Sequence, residues 1–255
     1  NNVGNTAIDL SSASDQVLDI NGVGNSAAQT GFEHIDASLV TGNGVTVVAG
    51  TDGQNRLIGS DQNDSFAGGE GADFFQGNGG ADSFSLGSGD GAEDIVAYAA
   101  TNATEIAAEG GSGENISGFE DGTDTIQFAD GLLTSSNDTD IDTGAFTAQN
   151  QQSTGDFSGA VTDATSSPVI QISDDNLNAT SAESAADVAG QLGGTVNDSM
   201  EVIFAVDDGS DSYLWHFDGD NGAASDATVD ADELDLVGVV DSVTDLSVTG
   251  NFEIA

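Results

Sequence analysis

Between residues 50 and 85 a large apolar side chain recurs at every ninth position: Leu57, Phe66, Phe75 and Phe84. The polar positions keep the same period. Glycine opens each unit (Gly50, Gly59, Gly68, Gly77), and Asn55, Asp64, Asp73 or Asp82 stands two places before the apolar residue. The four units read GTDGQNRLI, GSDQNDSFA, GGEGADFFQ and GNGGADSFS. A period this short marks a solenoid, in which each unit buries its apolar side chain against copies of itself. It predicts a three-residue strand around each apolar position, a six-residue turn before it, and two units per coil. Residues eighteen apart then stack at strand spacing, about 4.8 Å, which sets Asn55 under Asp73 and Asp64 under Asp82.

On either side the pattern loosens. Upstream, Ile8–Leu10, Val17–Ile20, Ile35 and Val45–Val48 are short apolar runs between Gly/Asn turns and read as strands. The unit TGNGVTVVA (41–49) continues the frame with Val48 inward but has Thr46 in the acidic place, so residues 1–49 are expected to be solenoid strands held by packing alone. Downstream, Asp94 and Val96 repeat the acid-x-apolar pair after a few inserted residues, and the regular solenoid is expected over 50–97. Residues 98–133 are expected to cap it, with Ile116, Phe119, Ile126 and Phe128 covering strand edges that would otherwise stay unpaired. Residues 134–167, rich in Ser, Thr, Asp, Asn and Gly, read as a polar loop or linker ending at Pro168, the only proline.

From 168 to 255 the composition changes, and a small, mainly β domain is expected. PVIQI is a strand; SAESAADVAGQLGG (181–194) is a helix with Ser181 as N-cap and Ala185, Val188 and Leu192 on one face. EVIFAV and SYLWHF form a hairpin across Asp207–Asp211, with Tyr213, Trp215 and Phe217 sharing a face, and ELDLVGVV and LSVTGNFEIA add two strands. The fold class is therefore all-β: a parallel β-roll, or β-solenoid, followed by a small β domain with one short helix.

Charge changes the picture more than length does. The 255 residues include 45 acidic against one basic, Arg56, for a formal charge of −44. Nothing in the chain can neutralise phosphates, which excludes direct binding to nucleic acid or to an anionic membrane. Such self-repulsion opposes a compact state unless cations screen it, so a saline or calcium-rich external medium is expected. There is no cysteine, and no stretch approaches the roughly 20 apolar residues of a membrane span. The opening NNVGNTAIDL has neither a charged n-region nor an apolar h-region and no initiator Met, and reads as the start of a C-terminal piece or a processed product.

Catalytic patterns are missing. His34 and His216 lie far apart, no H-E-x-x-H or G-x-S-x-G occurs, and a P-loop is impossible without lysine. The loop 218–233 is not an EF-hand, since Ala223 and Val229 stand where that loop needs Gly and Glu, but Asp218, Asp220, Asp226 and Asp230 are open to an irregular calcium site against a solvated hairpin loop. What the repeats do offer is oxygen. Glycine turns that visit φ > 0 aim carbonyls at one point, and with two stacked carboxylates they form a hard cage suited to Ca²⁺ rather than to zinc or a redox metal.

The four units resemble the RTX (repeats-in-toxin) nonapeptide G-G-x-G-x-D-x-U-x, which builds a calcium-filled parallel β-roll. The resemblance implies one site from Thr51, Gly53 and Asn55 with Gly68, Glu70 and Asp73, and a second from Ser60, Gln62 and Asp64 with Gly77, Gly79 and Asp82. Gly69 and Gly71 belong to the same ligand set, Asp90 and Asp94 would close a last site, and Asp121 and Asp124 are open to a ligand role as well. Asn55 in place of Asp weakens the first site more than the second. The tail Asn251–Ala255 resembles the uncleaved C-terminal signal of type I secreted RTX proteins.

The resemblance thus implies a secreted bacterial protein whose chain folds outside the cell when calcium binds. It further implies export by type I secretion machinery and self-association into a surface layer or fibre, with calcium bridging to anionic cell-surface polysaccharide. The alternatives from other classes are the terminus of an RTX adhesin and the tail of a secreted enzyme such as a serralysin-like protease. No enzyme activity is expected within the chain itself.

Overall fold

The computed structural model describes residues 16–18, 34–49, 53–100, 106, 113–130, 132–133, 144–146, 149–151, 169–172, 185–191, 201–219, 229–246, 248 and 250–254. Two sheets built mostly of very short strands face each other. One runs through β1 (Gln16–Leu18), β3 (Val45–Val48), β5 (Ser65–Ala67), β7 (Ser83–Ser85) and β9 (Glu114–Ser117). The other runs through β2 (His34–Asp36), β4 (Arg56–Ile58), β6 (Phe74–Gln76), β8 (Ile95–Tyr98) and β10 (Thr125–Phe128). Pairing is parallel throughout these strands, and the chain alternates between the sheets at each turn. This is the β-roll that the nine-residue period predicts.

Register shows why the period works. Leu57 pairs with Phe75, and Phe66 with Phe84, eighteen residues on in each case. The middle residue of each strand points inward, so Ile35, Leu57, Phe75, Val96 and Ile126 form one buried row and Val47, Phe66, Phe84 and Ile116 the other. Phe66 stacks on Phe84 at 6.0 Å between ring centroids, and Phe75 meets Phe84 across the roll at 5.7 Å. Hydrophobic burial and aromatic packing give this narrow core its cohesion.

Val48 is not inward as its place in the frame suggests; it is 43% exposed, and Val45 and Val47 are the buried pair. Val47 pairs with Phe66, nineteen residues on. One extra residue therefore separates these strands, and a slip of one reverses the face of every side chain in a strand.

The residues expected as a cap are drawn into the roll. Ile116 and Phe119 are buried, and Ile126 and Phe128 sit inside as the inward residues of β10. The strands beyond them are also hydrogen-bonded to the roll. In the first sheet β9 pairs with β16 (Leu234–Val240), which leads antiparallel to β15 (Ser212–Asp218) and β14 (Glu201–Asp207), then to β13 (Val169–Ile172) and β12 (Gln149–Gln151). In the second sheet the terminal strand β17 (Phe252–Ile254) lies between β10 and β11 (Gly144–Phe146). Phe252 joins the inward row after Ile126, and Tyr98, Phe128 and Phe252 stack in succession at 5.3 and 6.4 Å.

The two faces of the hairpin β14–β15 serve different cores. Ile203, Ala205 and Leu214 join the core that runs through the roll. Tyr213, Trp215 and Phe217 share the opposite face, as alternation predicts, and pack with Phe204 and with Val188 of helix α1 (Ala185–Gln191) in a second core. The helix lies within the predicted 181–194; Ser181 and Leu192 fall outside the described residues. So do Ile8–Leu10 and nearly all of 134–167.

Candidate metal centre

The turns on either side of the roll stack as the strands do, and each stacked pair is tied by one repeated contact. The acid at the sixth place of a unit accepts the backbone N–H of the sixth-place residue one coil earlier. In one column Val45 N donates to Asp64 Oδ1 at 2.5 Å, Asp64 N to Asp82 Oδ1 at 2.6 Å, and Asp82 N to Glu114 Oε2 at 2.6 Å. In the other, Asn55 N donates to Asp73 Oδ1 at 2.7 Å, Asp73 N to Asp94 Oδ1 at 2.7 Å, and Asp94 N to Asp124 Oδ1 at 2.9 Å. All six acids are buried. Charge-assisted bonds of this kind are short and strong, and here they fix each carboxylate between two turns.

Glycine at the first place makes room for that carboxylate. A Cβ on Gly59, Gly68 or Gly77 would lie 2.4, 2.1 or 1.8 Å from the Oδ2 of Asp64, Asp73 or Asp82. Gly71 and Gly80, at fourth places, have φ of +107° and +119° and press against the backbone of Gly53 and Gln62 in the turn below. Tight turns thus bring carbonyls and carboxylates of successive coils together.

The expected ligands fall into these stacks. Ser60 is buried, with its N–H and Oγ on Asp64; Gln62, Gly77, Gly79 and Asp82 occupy the same turn pair, and Gly79 N reaches Ser60 O at 3.2 Å. Gly53, Asn55, Gly68, Glu70 and Asp73 occupy the pair on the other side, and Thr51 lies outside the described residues. Asp90 is exposed but reaches back to Gly71 N at 2.7 Å, beside Gly69, Asp73 and Asp94.

Glu114 was not expected in these columns, and Asp124 was one of two open candidates. Residues 119–127, FEDGTDTIQ, keep the fourth-place Gly, sixth-place Asp and eighth-place apolar residue of the repeat. Asp124 Oδ2 accepts from Glu120 N at 2.7 Å, as Asp64 Oδ2 accepts from Ser60 N at 2.6 Å, and Gly89 N donates to Glu120 Oε1. Glu114 carries no such signal, because it follows Phe84 by an irregular excursion rather than by the nine-residue step.

The electrostatics call for a cation. Burial pushes the carboxyls of Asp64, Asp73 and Asp124 up from their ordinary range. Asp94 is pushed up to about 8, first by burial and then by Asp124, Asp73 and Asp90. Asp73 Oδ2 is buried without a hydrogen-bond partner. The single arginine does not answer this charge: its guanidinium lies outside, 4.8 Å from the ring centroid of Phe74. No group of three His, Asp or Glu side chains converges among the described residues, so a cation here would be held by backbone carbonyls with one carboxylate from each turn. That is an all-oxygen, hard-cation donor set, and it fits Ca²⁺.

Fold and donors together define a calcium-binding parallel β-roll. Residues 40–75 and 58–92 match the family model of the RTX calcium-binding nonapeptide repeat, which holds four copies. Residues 40–92 are therefore an RTX segment, and the ion this repeat binds is Ca²⁺. No curated protein and no solved structure matches the chain. Among the described residues no helix is long and apolar enough to cross a membrane.

Proposed function

We propose that the chain is a calcium-folded structural module of a secreted protein, acting outside the cell at its surface, where it self-associates into a layer or fibre. The observation that carries this reading is the double column of buried carboxylates, stacked one coil apart with no cationic side chain among them. Calcium supplies the missing countercharge when bound. The chain's own part is to hold turn carbonyls and paired acids in register and to keep water from them with the inward aromatic row. Without the ion, mutual repulsion of the columns opposes the roll.

Self-association draws support from where the charge is not. The outward positions of β3, β5, β7 and β9 carry Thr46 and Val48, Ser65 and Ala67, Ser83 and Ser85, Asn115 and Ser117, none of them charged. Copies can approach along such a face without repulsion, while acidic turns are left for calcium to bridge to neighbours or to anionic surface polysaccharide. Export by type I secretion machinery would precede folding, because Phe252 and Ile254 of the signal-like tail are buried in the finished sheet.

Titrating Ca²⁺ into the chelated chain tests both levels, with circular dichroism for folding and negative-stain microscopy for assembly. β-Structure together with ordered sheets or fibres is the expected result. A calcium-folded chain that stays monomeric at high concentration would overturn the assembly role and favour the alternative, a folding and export module of an adhesin or secreted enzyme. Full β-structure in chelator at low salt would overturn the calcium reading itself.

A further inference from the structure

Of the eight sixth-place positions in the two columns, six are acidic; the first of each column, Val45 and Asn55, is not. Asn55 is buried, and its side chain is not idle. Asn55 Nδ2 lies 3.4 Å from Gly53 O, 3.3 Å from Gly68 O and 3.1 Å from Asp73 Oδ1. These three oxygens belong to the set that the nonapeptide pattern would give to an ion between residues 53–55 and 68–73. An amide terminus ringed by acceptors must be its donor nitrogen.

We infer that the side-chain amide of Asn55 closes this turn pair in the place of calcium, so that the first rung of the roll holds without the ion. The inference rests on the calcium reading of the later rungs. Charge argues for it: an ion here would meet one carboxylate, Asp73, whereas Asp64–Asp82, Asp73–Asp94, Asp82–Glu114 and Asp94–Asp124 each supply two.

The consequence is a polarity in folding. β4 pairs with both β2 and β6 next to this neutral rung, and Leu57 and Phe75 are fully buried there. That coil can order first and offer its edge to the calcium-dependent coils that follow.

The experiment compares whole wild-type chain with Asn55→Asp by titration calorimetry and equilibrium dialysis with Ca²⁺. Asn55→Asp gains a second carboxylate at this rung and is expected to bind one more calcium per chain. Equal stoichiometry in two chains that both bind calcium overturns the inference. If wild type binds no calcium, the proposed function falls, and a second readout still decides the amide's role. Asn55 Nδ2 protons, assigned by their loss in Asn55→Asp, are expected to exchange slowly whether calcium is present or chelated. Fast exchange in both conditions, or slow exchange only with calcium, overturns it.

Discussion

Gly68→Ala tests whether the first-place glycines exist for the carboxylates. Gly68 does not have a positive φ, so backbone torsion alone would admit alanine. Space would not: the added Cβ falls 2.1 Å from Asp73 Oδ2 and 2.7 Å from Phe75 Cζ. Asp73 is buried with Oδ1 held 2.7 Å from Asn55 N, and Phe75 has no exposed surface. Restoring ordinary contacts near 3.5–4.0 Å means moving one of them by about 1 Å or more. Overpacking of this kind costs about 1–3 kcal/mol. The gain from a stiffer unfolded chain, about 0.4–1 kcal/mol, does not cover it.

The displaced group is a proposed calcium ligand, so the cost should fall on the calcium-bound form. Net of that gain, up to about 2.6 kcal/mol remains, and at 1.4 kcal/mol per tenfold the loss is up to roughly 70-fold in affinity. Gly91→Ala is the companion: its φ of +69° strains an alanine, but a Cβ there meets nothing within 4 Å. Calcium titration followed by circular dichroism and calorimetry is expected to show a large rise in the midpoint for Gly68→Ala and a smaller one for Gly91→Ala. Equal shifts, or a larger shift for Gly91→Ala, would refute the packing argument.

Three further outcomes are expected. Asp124→Asn weakens the charged acceptor of Asp94 N and Glu120 N, worth about 1.5–3 kcal/mol per bond, so the calcium-loaded chain should melt lower; an unchanged melting temperature would remove Asp124 from the ladder. His216 is fully buried with both ring nitrogens unpartnered, and burial holds it down to about 4 from 6.5. Its neutral form is thus the folded one, and stability should fall as pH drops from about 6.5 toward 4, by up to about 300-fold in the folding constant. His216→Gln should blunt that part of the acid transition, and identical pH profiles would contradict the assignment. Trp215, the only tryptophan, lies in the second core on a sheet continuous with β9; its emission should follow calcium with the midpoint seen by circular dichroism. Native emission in chelator would mean that the C-terminal sheet folds alone.

What could be read from the chain beforehand was set by the length of the repeat. Where nine-residue steps are unbroken, one apolar place and one acidic place fix strand, face and stacking together, and Leu57 through Phe84 follow the rule. Where the step changes, register passes to contacts distant in sequence. Val47 pairs with Phe66 because one residue is inserted, Glu114 reaches Asp82 across thirty-two residues, and β17 joins β10 from the end of the chain. Periodicity carries no information about such returns. His216 illustrates a second limit: alternation places it away from Trp215, but a strand with both faces buried gives no polar side for it to occupy.

The way the acidic columns end follows from the same packing. Glu114 pairs with Gly238, where a Cβ would come 2.7 Å from Tyr98 Oη. No carboxylate can continue that column, because the aromatic row that starts at Tyr98 needs the space. In the other column the place after Asp124 falls on Gly250, whose carbonyl accepts from Thr125 Oγ1 at 2.8 Å. There a buried amide takes over: Asn251 Oδ1 accepts from Gly122 N at 2.7 Å, and its Nδ2 donates to Asp121 Oδ1 at 2.8 Å. An asparagine thus stands in the column before the acids, Asn55, and another, Asn251, stands beside the place that follows them. An amide is neutral and has both donors and acceptors, so it can satisfy a turn on one side and a carboxylate on the other.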